Sequence, residues 1–378
     1  MTRVAADTIV VGGGLIGCAL AAELSARAQR VLVLERGEPG AEASSAAAGM
    51  LSPQSDARQR DPMFELGVQS LELYPEWTHR LAEETGVDPG YRRTGLLKCA
   101  FSDEERETLA AAYAWQGAAG LAVQLRSGDS LARDRDECSL SEEVRAAVYF
   151  EDEAAVSPRR LARAARLQAE RRGAVVRGGV AARRFVLDRG RCVGVETDEG
   201  VLAAGTVVDA AGAWAAFDLG LPFPVPVRPV RGQIVALRTE GAPPRRVVCS
   251  EDAYVLPRPD GTVLVGSTLE SAGFRKAVTA GAVARLIGAA VRLVPRLAEA
   301  SPQDAWSGLR PGTPDGRPIL GDSPVRGLFF ATGHFRSGIL LAPVTARLVA
   351  DAILSVPESG SRLAAFSIER FAGRLSHP

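Results

Sequence analysis

Residues 7–50 read DTIVVGGGLIGCALAAELSARAQRVLVLERGEPGAEASSAAAGM, and the fold is decided there. The apolar run Thr8 to Val11 suits a buried parallel strand. Three glycines follow, then a segment with Leu15, Ala19, Leu20 and Leu24 at helix-face spacing. A second apolar run, Val31 to Leu34, ends on the acid Glu35. Strand, glycine turn, helix, strand and acid make a βαβ unit with a dinucleotide fingerprint: Gly12 for the tight turn, Gly14 for backbone approach to a pyrophosphate, Gly17 for helix–strand packing. The helix N-terminus, carrying about half a positive charge, faces the phosphates. Glu35 is placed to accept hydrogen bonds from a ribose diol. The fingerprint does not separate NAD from FAD.

Outward from this unit, 378 residues allow one large or two medium domains. Lys+Arg and Asp+Glu are both 45, so net charge gives no reason to expect nucleic acid or an anionic membrane as partner. The only lysines are Lys98 and Lys276, which removes lysine from most catalytic schemes. Five cysteines without a C-x-x-C pair suggest no disulfide framework. Three histidines, His79, His334 and His377, make a histidine-rich metal site improbable, and no metal is expected. The N-terminus lacks a signal-peptide pattern and no apolar run reaches membrane-span length, so the expectation is a soluble cytoplasmic protein.

The stretch 37–54 is rich in Ala, Ser and Gly and reads either as a flexible loop or as backbone lying against a flat cofactor. Helices are expected over 64–84, ended by Gly86, and over 103–119. A further helix is expected from Ser157-Pro158 as N-cap and N1 to Arg172. Strands are expected at 95–101, 174–177, on either side of the turn Asp188-Arg189-Gly190, and at 205–212. From Val225 to Val265, alternation, prolines and the turn Pro259-Asp260-Gly261 predict an antiparallel sheet. A helix over 277–294, a buried strand over 327–332 and an apolar helix over 339–354 close the chain. The fold class is α/β (α+β overall). Segments 1–75, 150–220 and 305–378 form a discontinuous Rossmann-like nucleotide-binding domain; 76–149 and 221–304 form an antiparallel-sheet substrate domain.

Three places could carry chemistry. Arg310, in WSGLRPGTPDGRPILG (306–321), is set between an apolar strand and an expected turn at Pro311-Gly312. An arginine there suits a small carboxylate, held bidentately, or equally a structural ion pair with Asp304 or Asp315. His334 and Arg336 project from ATGHFRSGIL (331–340), just before a helix N-terminus that could stabilise negative charge. Tyr254, on the strand 252–258, reads on its own as sheet packing.

Together these stretches resemble the FAD-dependent D-amino-acid-oxidase-like family, most closely its glycine oxidase branch, which serves thiamine biosynthesis. The resemblance rests on VVGGGLIG (10–17), SAAAGML (45–51), the strand around Tyr254, WSGLRPGTPDG (306–316) and ATGHFRSGILLAP (331–343), in order along nearly the whole chain. It implies FAD as the cofactor, with Leu15 and Ile16 at the pyrophosphate beside Gly12, Gly14 and Gly17. Glu35 and Arg36 would meet the adenosine end, Ala43 and Ser44 the phosphates, and Val180 the adenine side. Ala48, Gly49 and Met50 would lie along the isoalloxazine. The turn His334, Phe335, Arg336, Ser337, Gly338, Ile339 and Leu340 would wrap its pyrimidine edge.

By the same resemblance Arg310 clamps the substrate carboxylate, helped by Tyr254, and Arg336 lines the same pocket, so these three are the expected catalytic residues. Met50 and Leu269 would also meet substrate. Leu269 stands where glycine oxidases carry methionine and where sarcosine-oxidase relatives place a lysine. With no cysteine after Cys249 and no histidine before His79, dissociable, non-covalent FAD is expected. The implied reaction is oxidation of glycine, sarcosine or small D-amino acids to the imine and 2-oxo acid, with oxygen as acceptor, hydrogen peroxide as product and imine hand-off to a thiazole synthase. A dehydrogenase with another acceptor, a non-catalytic nucleotide-binding protein, and a homo-oligomeric state all stay open.

Overall fold

The computed structural model describes residues 4–372; His377 lies outside them. Its parallel core runs, in spatial order, through strands 328–332, 200–209, 4–11, 31–34 and 175–177. The long strand Gly200–Asp209 is a fork. Its first half pairs antiparallel with Arg191–Thr197, and its second half runs parallel to Leu328–Thr332. The expected start at Gly205 was therefore five residues late, because the half over 200–204 is mostly exposed or half-buried and is set by its hairpin pairing with Arg191–Thr197, a partner that the local sequence does not announce.

Helix Leu15–Ala26 is buried almost all round, not along one stripe. It packs against helices Pro158–Arg171 and Ala342–Ile353, which explains its run of alanines. Leu15, Leu20 and Leu24 each contribute roughly 2 kcal/mol by full burial. Helix Pro62–Thr85 starts on the Asp61 carboxylate, which accepts the Phe64 N–H at 2.9 Å, and stops at left-handed Gly86. Pro75 sits inside it without ending it, so a domain boundary at residue 75 falls within a continuous helix.

The second sheet has the strand order 301–312, 228–238, 262–266, 254–257, 247–249, 96–100, 146–150 and 123–126. It is antiparallel except where Val247–Cys249 meets Leu96–Ala100. Strand Ser301–Gly312 pairs along its length with Arg228–Arg238, so the boundary drawn at 305 also cuts a strand. Pro311 and Gly312 belong to that strand and do not form a turn. The last large helix begins at Ala342, three residues later than expected, with Pro343 in its first turn; residues 335–341 are mostly turn. No described helix is long and apolar enough to cross a membrane.

Candidate functional site

An elongated cavity runs from the glycine turn of the parallel sheet to the face of the antiparallel one. At its first end Gly12 has a left-handed φ of +113°, and a Cβ there would collide with the Ala210 carbonyl. A Cβ on Gly17 would strike the Gly12 carbonyl, so this glycine lets helix and strand touch and does not line the cavity. Gly14, Leu15 and Ile16 do line it. Gly14 is the helix N-cap with no side-chain cap, and a Cβ on it would meet only the Ser44 hydroxyl, at 3.2 Å. The Leu15 N–H donates to that hydroxyl at 2.9 Å. The Glu35 carboxylate accepts the Gly13 N–H at 2.9 Å and the Gly37 N–H at 3.0 Å, fixing it at the end of the second strand.

The stretch expected as either loop or cofactor bed is a short helix, Ala43–Ala46, followed by the two-residue strand Met50–Leu51. Ala43, Ser44, Ala48, Gly49 and Met50 all line the cavity. The bed is held from outside the motif. The Trp306 indole N–H donates to the Ala46 carbonyl at 2.9 Å, and the Arg258 guanidinium donates to the carbonyls of Ala48 and Val156. Burial, reinforced by repulsion from Arg92, pushes Arg258 down to about 10. At the outer end Arg36 lies 3.7 Å from the centre of the Trp214 ring, with Phe217 beside it. A glycine-lined helix N-terminus, a fixed acid and a flat bed of small residues fit a dinucleotide carrying a planar ring.

The other end is assembled from distant segments. Arg310 rises from strand 301–312 across Gly232, where a Cβ would occupy the space of its guanidinium. It donates to the Thr268 carbonyl at 3.0 Å and to the Ser267 hydroxyl at 2.7 Å. Neither Asp304 nor Asp315 pairs with it; Asp315 is engaged by Arg370 at 2.8 Å. Burial lowers the Arg310 pKa, with the Arg336 charge adding to the effect. Tyr254 lies over Gly266, and its hydroxyl, pushed up to about 12 by burial, interacts with Ser267. Arg336 lines the same wall and pairs with Asp56 at 3.2 Å. His334 is buried, bonded through Nε2 to the Thr345 hydroxyl at 3.0 Å, and burial lowers it to about 3. It is neutral near pH 7.

Not every expected residue reaches the cavity. Leu269 is 55% exposed and lines an outer groove. The adjoining Glu270 bridges to Arg231, and the Thr268 hydroxyl accepts the Gln233 N–H, which turns Leu269 toward solvent. Val180 is buried and donates its N–H to the Glu35 carbonyl at 2.8 Å, while Ala181, Ala182 and Arg183 form the wall beside it. Ser337 and Leu340 support the turn from behind; Phe335, Gly338 and Ile339 line the cavity. Ser267, Asp56, Trp214 and Ile234 also line it and carry no local motif that marks them in the sequence.

The sequence pattern of the family described as FAD dependent oxidoreductase matches residues 7–352. The bifunctional protein ThiO/ThiG of Trichormus variabilis is 37% identical over 387 positions, covering all of this chain and 56% of that protein. The chain thus spans about half the length of such relatives. The glycine oxidase of Geobacillus kaustophilus is 37% identical over 373 positions, covering 98% of each. The crystal structure of glycine oxidase from that organism aligns with a TM-score of 0.89 at 36% identity, over 96% of this chain and 98% of that one.

Proposed function

This chain belongs to the FAD-dependent oxidoreductase family, and from that premise we propose that it oxidises glycine and other small amino acids, sarcosine and small D-amino acids among them. The products are the imine, its 2-oxo acid hydrolysis product and hydrogen peroxide. The observation that carries the substrate class is Arg310: a desolvated cation without a carboxylate partner among the described residues, at the end of a cavity that begins on a dinucleotide turn. Its five N–H donors exceed the two hydrogen bonds it makes, which leaves a fork for one carboxylate.

Gly12, Gly14, Leu15, Ile16 and Ser44 would hold the FAD pyrophosphate, Glu35 and Arg36 the adenosine end, and Ala48 to Met50 the ring. FAD, when bound non-covalently there, supplies the two-electron acceptor that takes the Cα hydride and that oxygen reoxidises. Arg310 grips the substrate carboxylate, and Tyr254, neutral at working pH, donates a hydrogen bond to the same group. Fixing one carboxylate on two donors aligns the Cα–H bond, the main demand of a reaction needing little acid–base machinery. The apolar Ile234 and Met50 exclude water. His334, neutral and tied to Thr345, serves structure and not proton transfer. The division into an FAD-binding and a substrate-binding unit is part of this reading, with the second sheet supplying Arg310 and Tyr254. The ThiO/ThiG relatives support hand-off of the glycine imine to a thiazole synthase.

Anaerobic mixing of the holoprotein with glycine, sarcosine and D-alanine tests the proposal. Loss of the flavin's yellow absorbance is expected, followed on aeration by its return with one peroxide per turnover. Failure of all three amines to bleach the flavin overturns it.

A further inference from the structure

Arg310 is not the only cation on the inner cavity wall. Arg336 stands near enough to lower the pKa of both Arg310 and Tyr254 by its charge. It is masked by Asp56, whose Oδ1 accepts from Arg336 Nη2 at 3.2 Å. The two residues lie 280 positions apart in the chain, and both line the cavity.

Half-exposed ion pairs are ordinarily loose. This one is held from both sides. Asp56 ends the short helix Pro53–Asp56, which buried polar groups clamp from behind. The Glu153 carboxyl group accepts the Ser55 N–H at 2.6 Å and the Ser55 hydroxyl at 3.0 Å. Tyr113 donates its hydroxyl to the Ser55 carbonyl at 2.5 Å, and Gln116 donates to the Gln54 carbonyl at 2.8 Å. On the other side Arg336 follows Phe335, a residue with φ of +48°, whose N–H donates to the Pro311 carbonyl at 3.0 Å. Among the residues that line the inner wall, the pair cancels one positive charge and leaves that of Arg310, while Arg258, behind the wall, is taken up by the Ala48 and Val156 carbonyls. An amino acid with a neutral amine carries one negative charge.

We propose that Asp56 is a specificity-determining residue: by masking Arg336 it leaves Arg310 as the sole carboxylate site and restricts the protein to monocarboxylate amines, excluding dicarboxylate amines. The inference rests on the amino-acid oxidase reading above. A second carboxylate entering beside Arg336 meets the Asp56 carboxylate, and like charges at that distance repel. Removing the Asp56 charge while keeping its shape opens Arg336 as a second anion site.

The experiment compares wild type, Asp56→Asn, Asp56→Glu and the double variant Asp56→Asn with Arg336→Gln, each as FAD-loaded holoprotein. Two probes are used: kcat/KM for iminodiacetate relative to glycine, and the ratio of acetate to malonate dissociation constants from perturbation of the bound-flavin spectrum. Asp56→Asn is expected to shift both ratios toward the dicarboxylate by roughly fivefold to tenfold. Asp56→Glu is expected to hold both ratios near wild type, and the double variant to lose the gain. Unchanged ratios in a folded, flavin-loaded Asp56→Asn protein overturn the proposal, as does a gain that survives loss of Arg336. The ligand-binding arm separates this outcome from failure of the oxidase reading. If wild type leaves glycine unoxidised, the acetate and malonate titrations still decide whether Asp56 masks Arg336.

Discussion

At one end of the cavity, Gly12 to Gly17 are neighbours in sequence, and their backbone makes the site. At the other, Tyr254, Ser267 and Arg310 arrive on separate strands or strand ends, joined by Arg336 from a turn and Asp56 from a short helix. The first end depends on where a Cβ cannot fit; the second depends on which charges are left without partners. Damage should therefore differ in kind. Changes at the glycine turn should cost folding and flavin occupancy together, whereas changes at the far end should cost turnover in a protein that still folds and binds flavin.

Arg310→Ala puts the largest strain on this comparison. It is expected to lower kcat/KM for glycine by roughly two to three orders of magnitude, mostly through KM, with flavin content unchanged. Steady-state kinetics beside the flavin-to-protein absorbance ratio checks both halves. Loss of flavin from this variant would show that the two ends are not separable. Gly12→Ala is the opposite probe. Its left-handed φ and the Ala210 carbonyl in the path of a Cβ predict a loss of about 3 kcal/mol in stability, read by denaturant unfolding, and poor flavin retention.

The substrate end is also clamped by a titrating group, whereas the glycine turn is held by backbone contacts and the Glu35 carboxylate. Burial raises Glu153 from 4.5 to about 8. Between those values the native protein holds a proton that the unfolded chain has released. The stability from this group is complete below pH 4.5 and is lost as pH rises through about 8. Wild type should therefore lose stability relative to Glu153→Gln across that window, with a slope of at most about 1.4 kcal/mol per pH unit. Thermal unfolding of both proteins at a series of pH values measures it, and parallel curves would assign the clamp no pH sensitivity. The smallest effect is expected for Tyr254→Phe. One hydrogen bond to the substrate carboxylate is worth about 1 kcal/mol, so kcat/KM should fall roughly fivefold, without change in flavin affinity.

What could be read without the structure follows the same divide. The βαβ unit, the helix stop at Gly86 and the turn at Asp188-Arg189-Gly190 were legible because short-range sterics and periodicity specify them. An apolar strand before Arg310 was legible, but its run through Pro311 and Gly312 was not, since its pairing with 228–238 depends on partners some seventy residues away. Leu269 was misplaced for a related reason. The resemblance set it in register with a family position after Tyr254, but a match along the chain does not say where the strand ends, and at Gly266 the chain leaves the ladder. Arg310 could be singled out but not resolved between carboxylate clamp and ion pair.

The sequence by itself determined the dinucleotide turn, because a missing Cβ and a helix N-terminus are local facts that no tertiary context is needed to supply. Through the motifs at both ends of the chain it also pointed to the family. Only the tertiary structure decided the charge state of the substrate end: that Asp315 is taken by Arg370, that Arg310 is left over, and that Asp56 stands against Arg336. Electrostatic partnership is a property of distance in space, and these partners are separated by up to 280 residues of chain.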